Sequence, residues 1–203
     1  MPGWPKNIKG QGRGRKMPLL TSERIHKMES WFVGVDIGQK GAIACIDDSE
    51  NLIGVWDIPT LIVKKTVGKK VKRKTKYDIP EIHNIFPKSN PEIEIHCFIE
   101  EALTIMGNFT VKTSVSLSHC QGIFEGVAFA HSSHVQTIKP QKWQSYFGIS
   151  GKKGDTGDQS IKIAKDLYPT VEFKTPRGRV LDGRADALLL ALYGKRTVEN
   201  VKK

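Results

Sequence analysis

The feature that most constrains this chain is Trp31-Phe32-Val33-Gly34-Val35-Asp36-Ile37-Gly38, followed by Gln39-Lys40-Gly41 and then by Ala42-Ile43-Ala44-Cys45-Ile46. An apolar run of strand-forming residues ends in one acid, turns on glycine and resumes as a second apolar run. That is the pattern of two antiparallel strands joined by a tight turn, with the first strand buried in a sheet. Asp36 is the anomaly, because a carboxylate in a core strand is costly unless a cation or hydrogen bonds compensate it. Taken alone it reads equally well as a cap for the following turn and as a functional acid. The rest of the chain decides, by whether other acids converge on it.

Downstream, Asp47-Asp48-Ser49-Glu50-Asn51 is a polar turn, and Leu52 to Ile58 reads as a third strand that completes an antiparallel meander. Asp78 is placed to cap a helix over about 79–86, with Pro80 and Glu81 in its first turn. Residues 93–101 form a fourth apolar run, ending in Glu100 and Glu101. Successive strand residues face opposite sides, so only one of these two can share a face with Asp36; Glu100 is the candidate and Glu101 faces away. A helix is expected over about 111–131, where Val115, Gly122, Gly126, Ala128 and Ala130 make a small-residue face. Glycine inside a helix costs stability relative to alanine. Two glycines four apart therefore imply a close approach, either to the sheet or to a second copy of the helix. Val135 to Ile138 is a fifth strand, and Lys139-Pro140-Gln141 opens a short helix carrying Trp143, Tyr146 and Phe147. Residues 158–167 read as helix, and 181–193 as a strongly apolar final helix with Asp182 and Asp186 at its start.

Asp182 and Asp186 are four apart and so share one helical face, where like charges repel. The dipole at a helix N-terminus offsets part of that cost; a metal ion offsets far more. Asp186 also abuts Ala187-Leu188-Leu189-Leu190, where an unpaired carboxylate is hard to tolerate. For Asp182 alone, an N-cap is the lesser, alternative reading.

The order of elements, with acids at Asp36, Glu100, Asp182 and Asp186, resembles the ribonuclease-H-like fold, an α/β architecture with a five-stranded mixed sheet flanked by helices. Within that fold, three signatures resemble the RuvC-like Holliday-junction resolvases. They are Val35-Asp36-Ile37-Gly38, Ile99-Glu100-Glu101-Ala102-Leu103, and Asp182-Gly183-Arg184-Ala185-Asp186-Ala187-Leu188-Leu189-Leu190-Ala191, in the family's order and within a span of about 31–195. The spacing of four between the last two acids is similar to that of phage and plastid relatives; bacterial enzymes usually use three.

The resemblance implies a homodimer, built through the helix around 111–131, that nicks four-way DNA junctions symmetrically. It also implies that Asp36, Glu100, Asp182 and Asp186 are the metal ligands, with Asp182 the weakest member. Hard oxygen ligands suit Mg²⁺ and, as its substitute, Mn²⁺. Two such ions can activate water and stabilise the leaving oxygen in phosphodiester hydrolysis.

Charge is consistent with a polyanionic partner. The chain of 203 residues carries a formal charge of +11, and clustered Lys and Arg release counterions from nucleic acid. Residues 64–76 hold eight basic residues and no acid; as plain structure the segment reads as a solvated hairpin or loop, and Lys70, Lys72, Arg73 and Lys74 in it are expected to touch phosphates. Lys139, Lys142, Lys152 and Lys153 lie between the fifth strand and the final helix, where a lysine, Lys153 foremost, can assist catalysis at the scissile phosphate. Arg177 and Arg179 belong to a basic loop before that helix. Met106 and Phe109, just past Glu100, are candidate wedges for a junction centre.

Three further expectations concern organisation. Residues 1–30 read as a basic, disordered arm, with a targeting segment or an over-long start as competing readings. Residues 31–196 read as the nuclease domain and 197–203 as a basic tail. The three cysteines lack metal-type spacing and read as packed thiols of a reducing intracellular compartment, and no apolar run is long enough to span a membrane.

Rival functions have counter-evidence. The Gly34-to-Gly38 turn also opens actin-like ATPases and sugar kinases, but those need two such domains and a second glycine-rich phosphate loop. Other ribonuclease-H-like nucleases, acting on RNA–DNA hybrids or as transposases, fit less well with the paired acids on the last helix and the dimer helix. A non-catalytic branched-DNA binder has no need of four acids.

Overall fold

The computed structural model describes residues 28–67, 70–102, 110–151 and 155–201; the basic arm expected at the start lies, up to residue 27, outside the described residues. At the centre is a five-stranded mixed sheet of order β3-β2-β1-β6-β7, comprising β1 (Glu29–Val35), β2 (Ala42–Ile46), β3 (Leu52–Asp57), β6 (Ile93–Glu100) and β7 (His134–Ile138). The first three strands pair antiparallel, while β1–β6 and β6–β7 are parallel. This is the mixed, helix-flanked sheet expected from the sequence.

Period-two alternation divides the core into two layers. Phe32, Ala42, Ala44, Ile46 and Phe98 point to one face and pack on α5 (Asp182–Val201), beside α3 (Pro140–Tyr146) and α4 (Asp155–Leu167). Val33, Val35, Ile43, Ile95, Cys97 and Ile99 point to the other, against α1 (Ile79–Ile85) and α2 (Val111–His131). Two glycines let α5 lie on the sheet: a Cβ at Gly34 would collide with the Ala187 carbonyl, and one at Gly194 with the Phe98 ring. The far end of α5 is clamped to the β2–β3 turn. There Glu50 receives Arg196 Nε and Nη2 at 3.0 and 2.9 Å, and the buried Lys195 lies between Glu50 (3.5 Å) and Glu199 (2.9 Å). Within the same turn Asp47 Oδ1 accepts from the backbone N–H groups of Ser49 and Asn51, so Asp47 is a turn residue as its sequence context implied.

Local signals placed most boundaries well. Asp78 accepts from Glu81 N–H at 3.3 Å as the N-cap of α1, and α2 covers the expected span. All three cysteines are free and buried. Among the described residues no helix is long and apolar enough to cross a membrane.

Three features differ from expectation. First, α5 runs to Val201 and takes in the start of the stretch read as a tail beyond 196, because the Glu50 clamp extends its packed length. Second, α4 starts at Asp155, three residues early, with Asp155 and Asp158 in its first turn, where acids favour the helix dipole. Third, the basic segment, read as a hairpin or a loop, is an antiparallel hairpin ribbon longer than the basic run itself, with β4 (Thr60–Val67) and β5 (Lys70–Tyr77) as a separate two-stranded sheet. Its residues are almost all exposed, including Ile62 at 67% and Val71 at 61%. With no buried face, the strands carry no hydrophobic alternation to betray them.

Candidate active site

Asp36 and Glu100 follow or end β1 and β6, two neighbouring parallel strands, so both carboxyls emerge at the carboxyl end of the sheet. Both occupy the α5 side, continuing the alternation Phe32-Gly34-Asp36 and Phe98-Glu100. The first turn of α5 brings Asp182 and Asp186 over the same end. Gly183 makes that approach possible, since a Cβ there would strike the Lys40 carbonyl and Asp36 Oδ2. Arg184 fixes the helix start by a two-pronged pair with Asp57, Nε to Oδ1 at 2.6 Å and Nη2 to Oδ2 at 2.9 Å, and by a bond to Glu172 O at 2.8 Å.

The electrostatics of the four acids are coupled. Burial, then the neighbouring charge of Glu100, then Asp186, pushes the Asp36 carboxyl well above its ordinary range, and Asp36 and Glu100 are in side-chain hydrogen-bonding contact. Burial also raises Glu100, opposed by its contacts with Asp36 and Trp143. Asp186 is pushed up to about 7, chiefly by burial and then by the charges of Glu100 and Asp182; the Ser160 hydroxyl tempers the rise. Asp186 Oδ1 is buried with no hydrogen-bond partner among the described residues. Asp36, Glu100 and Asp186 nonetheless keep partial solvent access, and Asp182 is exposed. Mutually repelling, half-buried carboxylates with an orphaned oxygen are what a divalent cation with hard oxygen preference would relieve. Asp36, Glu100, Asp186 and Asp182 are the residues that would hold it.

Two residues that the sequence did not single out shape this cluster. Trp143, fully buried on α3, donates its Nε1–H to Glu100 Oε1 at 3.2 Å. Ser160, buried on α4 and donating to Thr156 O at 3.0 Å, sits against Asp186. Tryptophan and serine in amphipathic helices carry no local sign of such a role. Glu101 instead pairs through its N–H with Ile138 O, and its strand position points it away from Asp36.

The predicted nucleic-acid contacts fall into three groups. Lys72, Arg73 and Lys74 are exposed on β5 of the ribbon. Pairing places Lys72 and Lys74 on one face of it and Arg73, opposite Lys64, on the other. The ribbon springs from beside the turn after Asp36, since Gln39 Nε2 donates to Thr75 O and Ile58 N to Gly41 O. Lys139 and Lys142 are at the start of α3, directly after Ile138, the register partner of Glu100, and both are open to solvent. Arg177 and Arg179 are exposed in the loop before α5. The Lys70 side chain, Met106, Phe109, Lys152 and Lys153 lie outside the described residues.

Fold and site together define an α/β protein with an acidic centre at the carboxyl end of two parallel strands in a mixed sheet. The chain belongs to the family described as Lactococcus phage M3 protein, whose sequence profile matches residues 40–194. Comparison with curated proteins gives no match. Among solved structures, the chain is similar to Thermus thermophilus RuvC in complex with a Holliday junction substrate, at 11% identity and a TM-score of 0.43, over 86% of this chain and 96% of that one. It is also similar to a Thermus thermophilus RuvC structure, at 14% identity and a TM-score of 0.42, over 85% and 97%.

Proposed function

We propose that this protein is a divalent-metal-dependent endonuclease that resolves four-way DNA junctions as a homodimer. The observation that carries this reading is the gathering of Asp36, Glu100, Asp182 and Asp186 from three separate elements to one end of the sheet. The three ordered sequence signatures around those acids support the narrower assignment to junction resolution. Bound Mg²⁺ would supply a hydrolytic nucleophile from water and stabilise the departing oxygen. Trp143 holds Glu100 in place, Ser160 steadies Asp186, and Arg184 anchors the helix turn that carries Asp182 and Asp186.

The basic ribbon and the start of α3 flank this centre and are assigned to phosphate contacts. A two-stranded ribbon is narrow enough to enter a major groove, and its lysines add a salt-dependent affinity. Lys153 is assigned the catalytic lysine. For the dimer, the outer face of α2 is the assigned surface. Val111, Val115 and Phe129 are 81%, 62% and 70% exposed there, and a Cβ at Gly122 or Gly126 would meet only open space. Those glycines therefore are not needed for contact with the sheet, which takes Cys120, Phe124 and Ala128 instead; Ala128, expected on one small-residue face with the glycines, lies on the opposite, buried side of the helix.

The test is a Mg²⁺-dependent cleavage assay comparing a four-way junction, a linear duplex and an RNA–DNA hybrid. Selective, paired nicking of the junction is expected, abolished by Asp36→Asn or Glu100→Gln with junction binding retained. Equal cutting of all three substrates would overturn the junction assignment, and wild-type cutting by either variant would overturn the metal centre.

A further inference from the structure

A second cluster of potential ligands sits on the same side of the sheet but at the opposite, amino-terminal end of β6. Glu94 and His96 are two apart on that strand, so both point to the α5 side. His134 opens β7 as the register partner of His96. One carboxylate therefore faces two imidazoles: Glu94 Oε1 lies 3.1 Å from His134 Nε2, and Glu94 Oε2 lies 3.4 Å from His96 Nε2. One ligand atom from each residue falls within 4.8 Å of the others. The His96 ring is held between two others, stacked on Phe32 at 5.1 Å and on His134 at 4.7 Å.

We propose that Glu94, His96 and His134 form a transition-metal site of the Zn²⁺ class, distinct from the acidic centre. The spacing is within reach: one ligand atom from each residue already lies within 4.8 Å of the others, and tetrahedral Zn²⁺ with bonds of about 2.0–2.1 Å needs them drawn in to roughly 3.3 Å. The donor set fits as well, because two imidazoles and one carboxylate favour Zn²⁺ over Mg²⁺, which prefers oxygen throughout. Three protein ligands leave a fourth position open towards a groove bordered by Gln136 and Val198. The gradient of side-chain exposure, from 7% at His96 through 22% at Glu94 to 63% at His134, gives the ion an entrance from solvent. Because His96 and His134 are stacked nearly parallel, binding requires the exposed His134 ring to turn out of the stack towards Glu94. Because β7 is an edge strand whose one neighbour in the sheet, among the described residues, is β6, the ion also ties that edge to the centre of the sheet.

The inference does not rest on the nuclease reading, and its test reads metal uptake. Full-length protein is titrated with Zn²⁺, and with Co²⁺ for its visible tetrahedral absorption, in excess Mg²⁺ and on an Asp36→Asn background that disables the acidic centre. One equivalent bound, with a raised melting temperature, is expected. His134→Ala, at an exposed position, and the near-isosteric Glu94→Gln should each weaken Zn²⁺ binding by more than the roughly 10–100-fold typical of losing an outer-shell partner. Introduced separately into the chain with Asp36 intact, both variants should leave Mg²⁺-dependent DNA cleavage at the wild-type rate. Absence of stoichiometric Zn²⁺ binding in the parent protein would overturn the proposal, as would binding that both variants leave intact.

Discussion

Replacing Asp186 with asparagine isolates the cost of assembling the acidic centre. The carboxyl is raised from 3.8 to about 7 in the fold, first by burial and then by Glu100 and Asp182. An acid with a raised folded-state pKa binds its proton more tightly in the native than in the unfolded chain. Its stabilising contribution is therefore complete below about pH 4 and is lost as pH rises to about 7. At about 1.4 kcal/mol per pH unit, the full span corresponds to a ceiling of about 4 kcal/mol. Asp186 keeps part of its surface in solvent, which screens it, so roughly 1–2 kcal/mol is the realistic size. Asparagine in place of the acid keeps the shape and cannot ionise. Urea unfolding in chelator, from pH 4 to pH 8, should show wild type losing stability relative to Asp186→Asn, with the variant ahead by about 1–2 kcal/mol at pH 8. Added Mg²⁺ should reverse the order by stabilising wild type more, through preferential binding to the native state. Taking the difference between the two proteins removes the opposite trend of Glu50, whose lowered pKa makes it stabilising above its unfolded value. A difference that stays flat with pH, or a variant less stable than wild type at pH 8 in chelator, would refute the reasoning.

Other perturbations address packing and assembly. Gly194→Ala drives a methyl into the Phe98 ring and should cost about 3 kcal/mol or more in chemical denaturation, since overpacking a full core forces strain. Glu50→Gln takes the carboxylate from Arg196 and from the buried Lys195, which keeps its pair with Glu199, and should cost about 2 kcal/mol at pH 7, an effect that shrinks in acid as Glu50 protonates. Gly122→Leu should shift a dimer towards monomer by light scattering with little change in the monomer's stability, because a Cβ there meets no neighbour among the described residues.

Much of this protein is legible in the linear sequence because the governing forces are short-range. Apolar runs in β1, β2 and β6, the Asp78 cap and the acid ending each of two buried strands specify the elements, while Asp36 and Glu100 stand out as a pair only beside the other acids along the chain. The ribbon stayed open between hairpin and loop because β4 and β5 pair only with each other, and exposed lysines alternate without any hydrophobic period. Trp143 and Ser160 escaped because their value lies in what they face, Glu100 and Asp186, across different elements.

What tertiary structure alone decided is which groups meet. Gly183 reads as a helix residue in the sequence, yet its missing Cβ is what admits the Asp36 carboxylate to the turn carrying Asp182 and Asp186. The register of β6 against β7 sets His134 beside His96, and a slip of one residue would send His134 to the other face. The glycines of α2 were ambiguous between sheet and partner, and the buried Cys120, Phe124 and Ala128 turned them outward. Local propensity chooses strands, turns and caps over a few residues. Register and close approach are set by packing between residues far apart in the chain, and they decide which acids, imidazoles and glycines become neighbours.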